Sequence, residues 1–234
     1  MINSTKKGSF LVVDGPSVSG KNSLIKVLAL ELKSRGVPVF LFNEDDIDPR
    51  RGEILRARER GKELGGSGDK EMAQVLTEHR AELCKSVVAP RLKMGEFVIA
   101  NRGEPATLAY QTARGELTMD VVWKMHREKG ILIPNFVILT TLNPVTAMAR
   151  EAQDKQTSVM RRERESGSSL SGKVAYDGAV TESERLKKRE LIHIQYDLVG
   201  KFLEGKGIPV LTLDTENKTV QEEVGEVLTF LQGS

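Results

Sequence analysis

Cysteine is almost missing from this 234-residue chain. The single Cys84 rules out an internal disulfide and fits a reducing compartment. Within the helical pattern RAELCKSVV it reads as a small core residue. Long apolar runs are missing as well. None reaches the roughly 18–20 residues of a membrane span, and the opening MINSTKKGSF has no signal-peptide-like apolar stretch. The expectation is a cytoplasmic protein with no membrane partner. Charge of one sign is not in excess: 35 basic residues face 33 acidic ones, for a net +2. That balance argues against a nucleic-acid polymer as partner, so any basic site must be a local cluster. The three histidines, His79, His126 and His193, lack metal-ligand spacing and read as structural or surface groups. Trp123 reads as packing. No internal repeat and no linker divides the chain, which predicts one domain over residues 1–234.

What is present is an alternation of short apolar strands and helices. Strands are predicted at Ser9–Asp14, Val37–Phe42, Phe97–Asn101, Phe136–Thr140 and Pro209–Asp214. Helices are predicted at Lys21–Arg35, Met72–Leu92, Glu116–Lys129 and Thr219–Leu231. This order implies an α/β fold, a parallel sheet flanked by helices in three layers. Two stretches read as irregular: the Gly-rich Arg60–Lys70, and Gln153–Thr181, where clustered arginines mix with Ser and Gly. The second reads as a mobile surface segment.

The first strand runs into FLVVDGPSVSGKNS. Gly15-Pro16-Ser17-Val18-Ser19-Gly20-Lys21 satisfies G-x-x-x-x-G-K between an apolar strand and an amphipathic helix, the context a phosphate-binding loop requires. The glycines permit the turn and a close backbone approach to an anion. The loop and helix N–H groups point at it, and Lys21 adds a charge for the outer phosphates. Gly15 to Lys21, with Asn22 and Ser23, are therefore the predicted ATP-binding residues of a P-loop fold. Asn22 stands where a hydroxyl normally serves magnesium. It offers an amide oxygen instead, and Ser23 lies about 100° further round the helix.

A basic constellation follows. Arg80 lies on a helix, Arg102 ends a strand, and Arg114 lies just past a helical turn. Ligands of open parallel sheets sit beyond the carboxyl ends of the strands, so Arg102 is expected near the loop, where it can clamp a second phosphate. The stretch L-T-E-H-R … P-R-L … G-E-F-V-I-A-N-R-G … A-T-L-A-Y-Q-T resembles the thymidylate kinase family, P-loop nucleoside monophosphate kinases that read approximately F-A-A-D-R … P-A-L … G-x-x-V-x-x-D-R-Y … S-T-x-A-Y-Q-G. Spacing agrees without gaps from Leu76 to Gln111. Weaker likeness covers most of the chain, including RGEILR and LNPVTAMAR. The loop DGPSVSGK is equally similar to cytidylate kinase.

The resemblance implies phosphoryl transfer from ATP, with Mg2+, to a nucleoside monophosphate, thymidine monophosphate first. It implies a mobile lid at about residues 150–182 carrying catalytic arginines among Arg161, Arg162 and Arg164, beside Lys21 and Arg102. It implies acceptor contacts for Asp45, Leu76, Arg80, Arg102, Thr107, Tyr110 and Gln111, and it leaves a homodimer open. Departures fall at Asn22 and Asn101, which replace a hydroxyl and a carboxylate and become weak metal candidates. Ser17 stands where the family often has an acid, and Leu76 where it has an aromatic. The acidic run Glu44, Asp45, Asp46 and Asp48 reads equally as replacement metal ligands or as a solvated loop. Two other readings stay open: a related nucleoside or other small-molecule kinase, and a nucleotide-binding protein with little turnover.

Overall fold

The computed structural model describes residues 8–44, 52, 53, 56, 68–153 and 181–233. Among them, five parallel strands form one sheet: β1 (Ser9–Asp14), β2 (Val39–Asn43), β3 (Phe97–Asn101), β4 (Phe136–Thr141) and β5 (Val210–Asp214), in the order β2-β3-β1-β4-β5. The helices are α1 (Lys21–Ser34), α2 (Gly68–Leu83), α3 (Ala89–Lys93), α4 (Glu104–Thr112), α5 (Met119–Glu128), α6 (144–153), α7 (Glu182–Gly205) and α8 (Val220–Gly233).

The strands explain the layers. Successive side chains of a strand point to opposite faces. Leu11 and Val13 of β1, Ile99 of β3 and Ile138 of β4 pack with Leu24, Leu28 and Leu32 of α1 and Val227 and Leu231 of α8. Phe10 and Val12, Val98 and Ala100, and Val137 and Leu139 pack on the other face with α4, α5 and α7, through Leu108, Val122 and Val199. A sheet covered on both faces needs apolar residues at every position, which is what made these strands visible.

The predicted strands all form, two with the predicted ends and three with ends shifted by a residue or two. The helix predicted at Met72–Leu92 starts earlier, at Gly68, inside the stretch read as irregular, and it is not uniform. A π-helical turn, Cys84–Val88, joins α2 to α3, and the Ala89 N–H donates to the Cys84 carbonyl. The cause is Pro90, which lacks an N–H and crowds the preceding turn, so the backbone widens just before it. The 24-residue α7 was not predicted. It begins where the polar segment ends, at a capping box in which Thr181 Oγ1 accepts from Glu184 N–H and Glu184 accepts from Thr181 N–H.

Some predictions for isolated residues hold. Cys84 is buried, and burial pushes its thiol above the ordinary value. The Trp123 ring meets Phe202 edge-on at 5.9 Å and carries the Arg127 guanidinium over its face. His126 is wholly buried, where its Nδ1 meets Glu104 Oε1 at 2.7 Å, and His193 Nδ1 meets Thr141 Oγ1 at 3.3 Å.

Candidate active site

The strand order places the site. β1 lies between β3 and β4, and the carboxyl end of β1 is level with that of β3, with Val13 opposite Asn101. The loop after β1 and the turn after β3 therefore open side by side at the crevice where ligands of such sheets bind.

The loop has the required geometry. Gly15 has φ +146°, and a Cβ there would lie 2.3 Å from the Thr140 carbonyl oxygen, so no other residue fits. Gly20 is left-handed at φ +80° and forms the N-cap of α1. No side chain caps this helix, and its first turn holds no acid. By contrast, α5 is capped by the side chain of Thr118, and α7 and α8 by those of Thr181 and Thr219. An uncapped helix start with positive dipole and spare N–H donors is a site for an anion. Ser19 is buried and its hydroxyl meets Thr140 Oγ1 at 2.6 Å, which ties the loop to β4.

Lys21 is buried, and its ammonium donates to the Gly15 and Pro16 carbonyls at 3.0 and 2.6 Å and to Ser19 Oγ at 3.2 Å. Burial, opposed by the Asp14 charge and aided by that of Arg102, lowers its pKa to about 8. An anion bound in the loop favours the charged form. ATP affinity is therefore expected to be flat below pH 8 and to fall above it, by up to about tenfold per pH unit. Calorimetric titrations in buffers of different ionisation enthalpy should show proton uptake on ATP binding above that pH. Affinity independent of pH between 7 and 10 would contradict this.

Arg102 lies just past β3 at φ +73°, a left-handed conformation rare for a side-chain-bearing residue. Such backbone strain costs on the order of 1–3 kcal/mol and is concentrated at functional sites. The Arg102 N–H donates to the Val13 carbonyl at 2.9 Å. Burial pushes the Tyr110 hydroxyl up, and the nearby Arg102 charge and Ser17 side chain pull against it. Tyr110, read from sequence as either a contact or a core residue, thus stands near both cationic segments.

Sequence reading missed Asp14, the fully buried end of β1. Its Oδ1 accepts from Gly15 N–H at 2.8 Å and Tyr196 Oη–H at 3.0 Å. Its Oδ2 accepts from Gly103 N–H at 3.0 Å and Ala106 N–H at 2.9 Å. Burial pushes the Asp14 carboxyl above its ordinary value, and the Arg102 and Lys21 charges offset this only in part. Burial and the Asp14 charge raise the Tyr196 hydroxyl well above its ordinary value, so it remains a donor. The available signal was a lone acid closing an apolar strand directly before the loop glycine.

Arg80 and Glu44 form a second buried constellation. Arg80 Nε and Nη2 donate to Glu44 at 2.7 and 2.9 Å, and Nη1 donates to Thr107 Oγ1 at 3.1 Å. Glu44 is committed to this pair and is not spare as a metal ligand. Burial pushes its carboxyl up, but Arg80 more than offsets this and holds it below the ordinary value. The contribution is present above the ordinary glutamate pKa and is lost as pH falls through the depressed one. Glu44→Ala strands a buried guanidinium and is expected to cost about 3–5 kcal/mol, read as a lower denaturant midpoint. A midpoint within experimental error of wild type would contradict the buried pair.

Thr107 is buried, Gln111 half-buried, and Leu76 packs with Met72 and Val75 on α2. Arg114 is exposed and 3.8 Å from Asp69. Asp45, Asp46, Asp48, Arg161, Arg162 and Arg164 lie outside the described residues.

Asn22 and Asn101 meet. Asn101 Nδ2 donates to Asn22 Oδ1 at 2.7 Å, so the amides at the two departures pair with each other. Asn101 Oδ1 is buried without a hydrogen-bond partner. Among the described residues no group of three or more His, Cys, Asp or Glu could hold a metal. A magnesium ion that arrives on ATP phosphate oxygens would take most of its ligands from those oxygens and from water. The donor set does not fit an ion held by the protein alone.

The family model for thymidylate kinase matches residues 13–185. The thymidylate kinase of Leptospira borgpetersenii serovar Hardjo-bovis is 30% identical over 154 residues, covering 64% of this chain and 72% of the relative. That of Cereibacter sphaeroides is 34% identical over 150 residues, covering 62% and 66%. That of Legionella pneumophila is 29% identical over 150 residues, covering 63% and 70%. With its loop, its strand-end arginine and its parallel sheet, this chain belongs to the thymidylate kinase family, transferases that phosphorylate a nucleoside monophosphate with ATP.

Proposed function

We propose that this chain transfers the γ-phosphoryl group of ATP to thymidine monophosphate. The observation that carries the reading is the pair of cations at adjacent strand ends, Lys21 in the uncapped loop and Arg102 in its left-handed turn, with Asp14 buried between them. The loop N–H groups and Lys21 hold the ATP phosphates. Arg102 holds the acceptor phosphate and brings it toward the same crevice. Phosphoryl transfer asks mainly for positioning and charge neutralisation, and these groups supply both from fixed backbone. Mg2+ bound with ATP neutralises phosphate charge, and Asn101 Oδ1 is its candidate protein contact. The Arg161, Arg162 and Arg164 cluster is assigned to the lid from the family resemblance. No helix among the described residues is long and apolar enough to cross a membrane, and we place the protein in the cytoplasm with its nucleotide substrates.

The test of the acceptor is ADP release from ATP with a panel of nucleosides and monophosphates. Turnover highest with dTMP supports the reading, and turnover confined to another acceptor overturns it. The Asn22–Asn101 pair favours one other reading, a nucleotide-binding protein with little turnover. Tight ATP binding without ADP release for any acceptor would establish that one.

The amide pair also sets a metal requirement. Neutral amides are poorer partners for a hard cation than a hydroxyl or carboxylate. Asn22→Thr with Asn101→Asp is expected to lower the magnesium concentration for half-maximal activity severalfold. The single variants belong in the titration, because both groups act on one ion and Asn101→Asp places an anion beside Arg102. A wild type that saturates as readily as the double variant places the metal on other ligands.

A further inference from the structure

Asp14 ties three segments of the site together. Its four donors come from the loop (Gly15), from the start of α4 (Gly103 and Ala106) and from α7 (Tyr196). α4 has no side-chain cap of its own, since Gly103 is its N-cap. Asp14 caps it from another element. The strained Arg102 is therefore tied to the end of β1 on both sides, by its own N–H to Val13 O and by the next N–H to Asp14 Oδ2. Gly103 packs closely there: a Cβ on it would lie 2.8 Å from Val12 Cγ1. Tyr196 meets Tyr110 edge-on at 6.2 Å, and the Tyr110 hydroxyl lies within reach of the Arg102 charge. These neighbours form a ring through Asp14, Tyr196, Tyr110, Arg102 and Gly103.

We propose that Asp14 is a positioning residue for phosphoryl transfer, which fixes the Arg102 turn against the Lys21 loop with Tyr196 as its anchor on α7. The proposal rests on Arg102 being the ligand of the acceptor phosphate. Only a carboxylate suits the place. Its two oxygens accept from four donors, whereas an amide has one accepting oxygen and would turn an NH2 toward two donors. Release of the Oδ2 contacts lets the Arg102 backbone relax from its left-handed state, and the guanidinium leaves its place beside the loop.

The experiment compares Asp14→Asn, Tyr196→Phe, Arg102→Ala and the double variants carrying Arg102→Ala, with dTMP kinetics, ATP affinity and thermal midpoints measured separately. Asp14→Asn is expected to lower kcat/KM for dTMP on the order of 30-fold, with ATP affinity changed severalfold less. Tyr196→Phe keeps the ring packing and should shift the same ratio about threefold in the same direction. If Asp14 and Tyr196 act through Arg102, neither change lowers kcat/KM further once Arg102 is alanine. Losses that multiply in the double variants, or acceptor and ATP constants that fall in parallel, overturn the positioning role while leaving the acceptor reading intact. If Asp14→Asn fails to fold, Tyr196→Phe and its double variant decide by the same criterion. An Arg102→Ala variant with unchanged acceptor kinetics defeats the acceptor reading, and the proposal with it.

Discussion

Lys21→Ala is expected to abolish turnover and to weaken ATP binding by roughly 10- to 150-fold, the loss of a charge-assisted contact worth about 1.5–3 kcal/mol. The catalytic loss should exceed the binding loss, because the ammonium is worth most where charge moves onto phosphate oxygens in the transition state. The fold should survive. Lys21 is buried against the loop's own carbonyls, and burial already lowers its pKa to about 8, so its charged form is held at a cost in the free protein. Its removal takes away that cost together with three hydrogen bonds. A near-native thermal midpoint with no ADP release is the expected pair of results. Unchanged ATP affinity and turnover would defeat the phosphate-loop assignment.

Arg102→Ala should act on the other substrate. Arg102 stands just beyond β3, with its N–H held by the Val13 carbonyl at the end of β1, and the expected loss is in the acceptor KM or kcat. A kcat/KM for dTMP lower by about 10- to 150-fold corresponds to one charge-assisted contact of about 1.5–3 kcal/mol. ATP affinity should change little. Alanine keeps the Cβ and with it the left-handed strain, so the truncation brings no stability from that source. A drop in ATP affinity with normal acceptor kinetics would put Arg102 on the donor side.

How much of this was legible in the sequence follows from how local each signal is. The loop is one contiguous segment, and its glycines and lysine carry their reasons with them. The sheet was legible because strands buried on both faces read as continuous apolar runs. Arg102 was legible because it closes such a run. The Glu44–Arg80 and Asn22–Asn101 pairs were not. Their members lie 36 and 79 residues apart, and only the strand order and register bring them together. Arg80 was expected at the acceptor; three of its five N–H donors hold Glu44 and Thr107. The first half of α7, ERLKKRE, is charged and hid the apolar stripe of Ile192, Tyr196, Val199 and Leu203. Thr181 and Glu184 nevertheless carried a start signal that could have been read.

The most direct measurement follows the phosphoryl group itself. ATP labelled at the γ-phosphate, magnesium and dTMP are incubated with the wild-type protein and with Lys21→Ala, and the products are separated. The account predicts label in dTDP with the wild type, formed in step with ADP, and none with the variant. Label released only as inorganic phosphate, or retained in ATP at every magnesium concentration while ATP binds tightly, would contradict it.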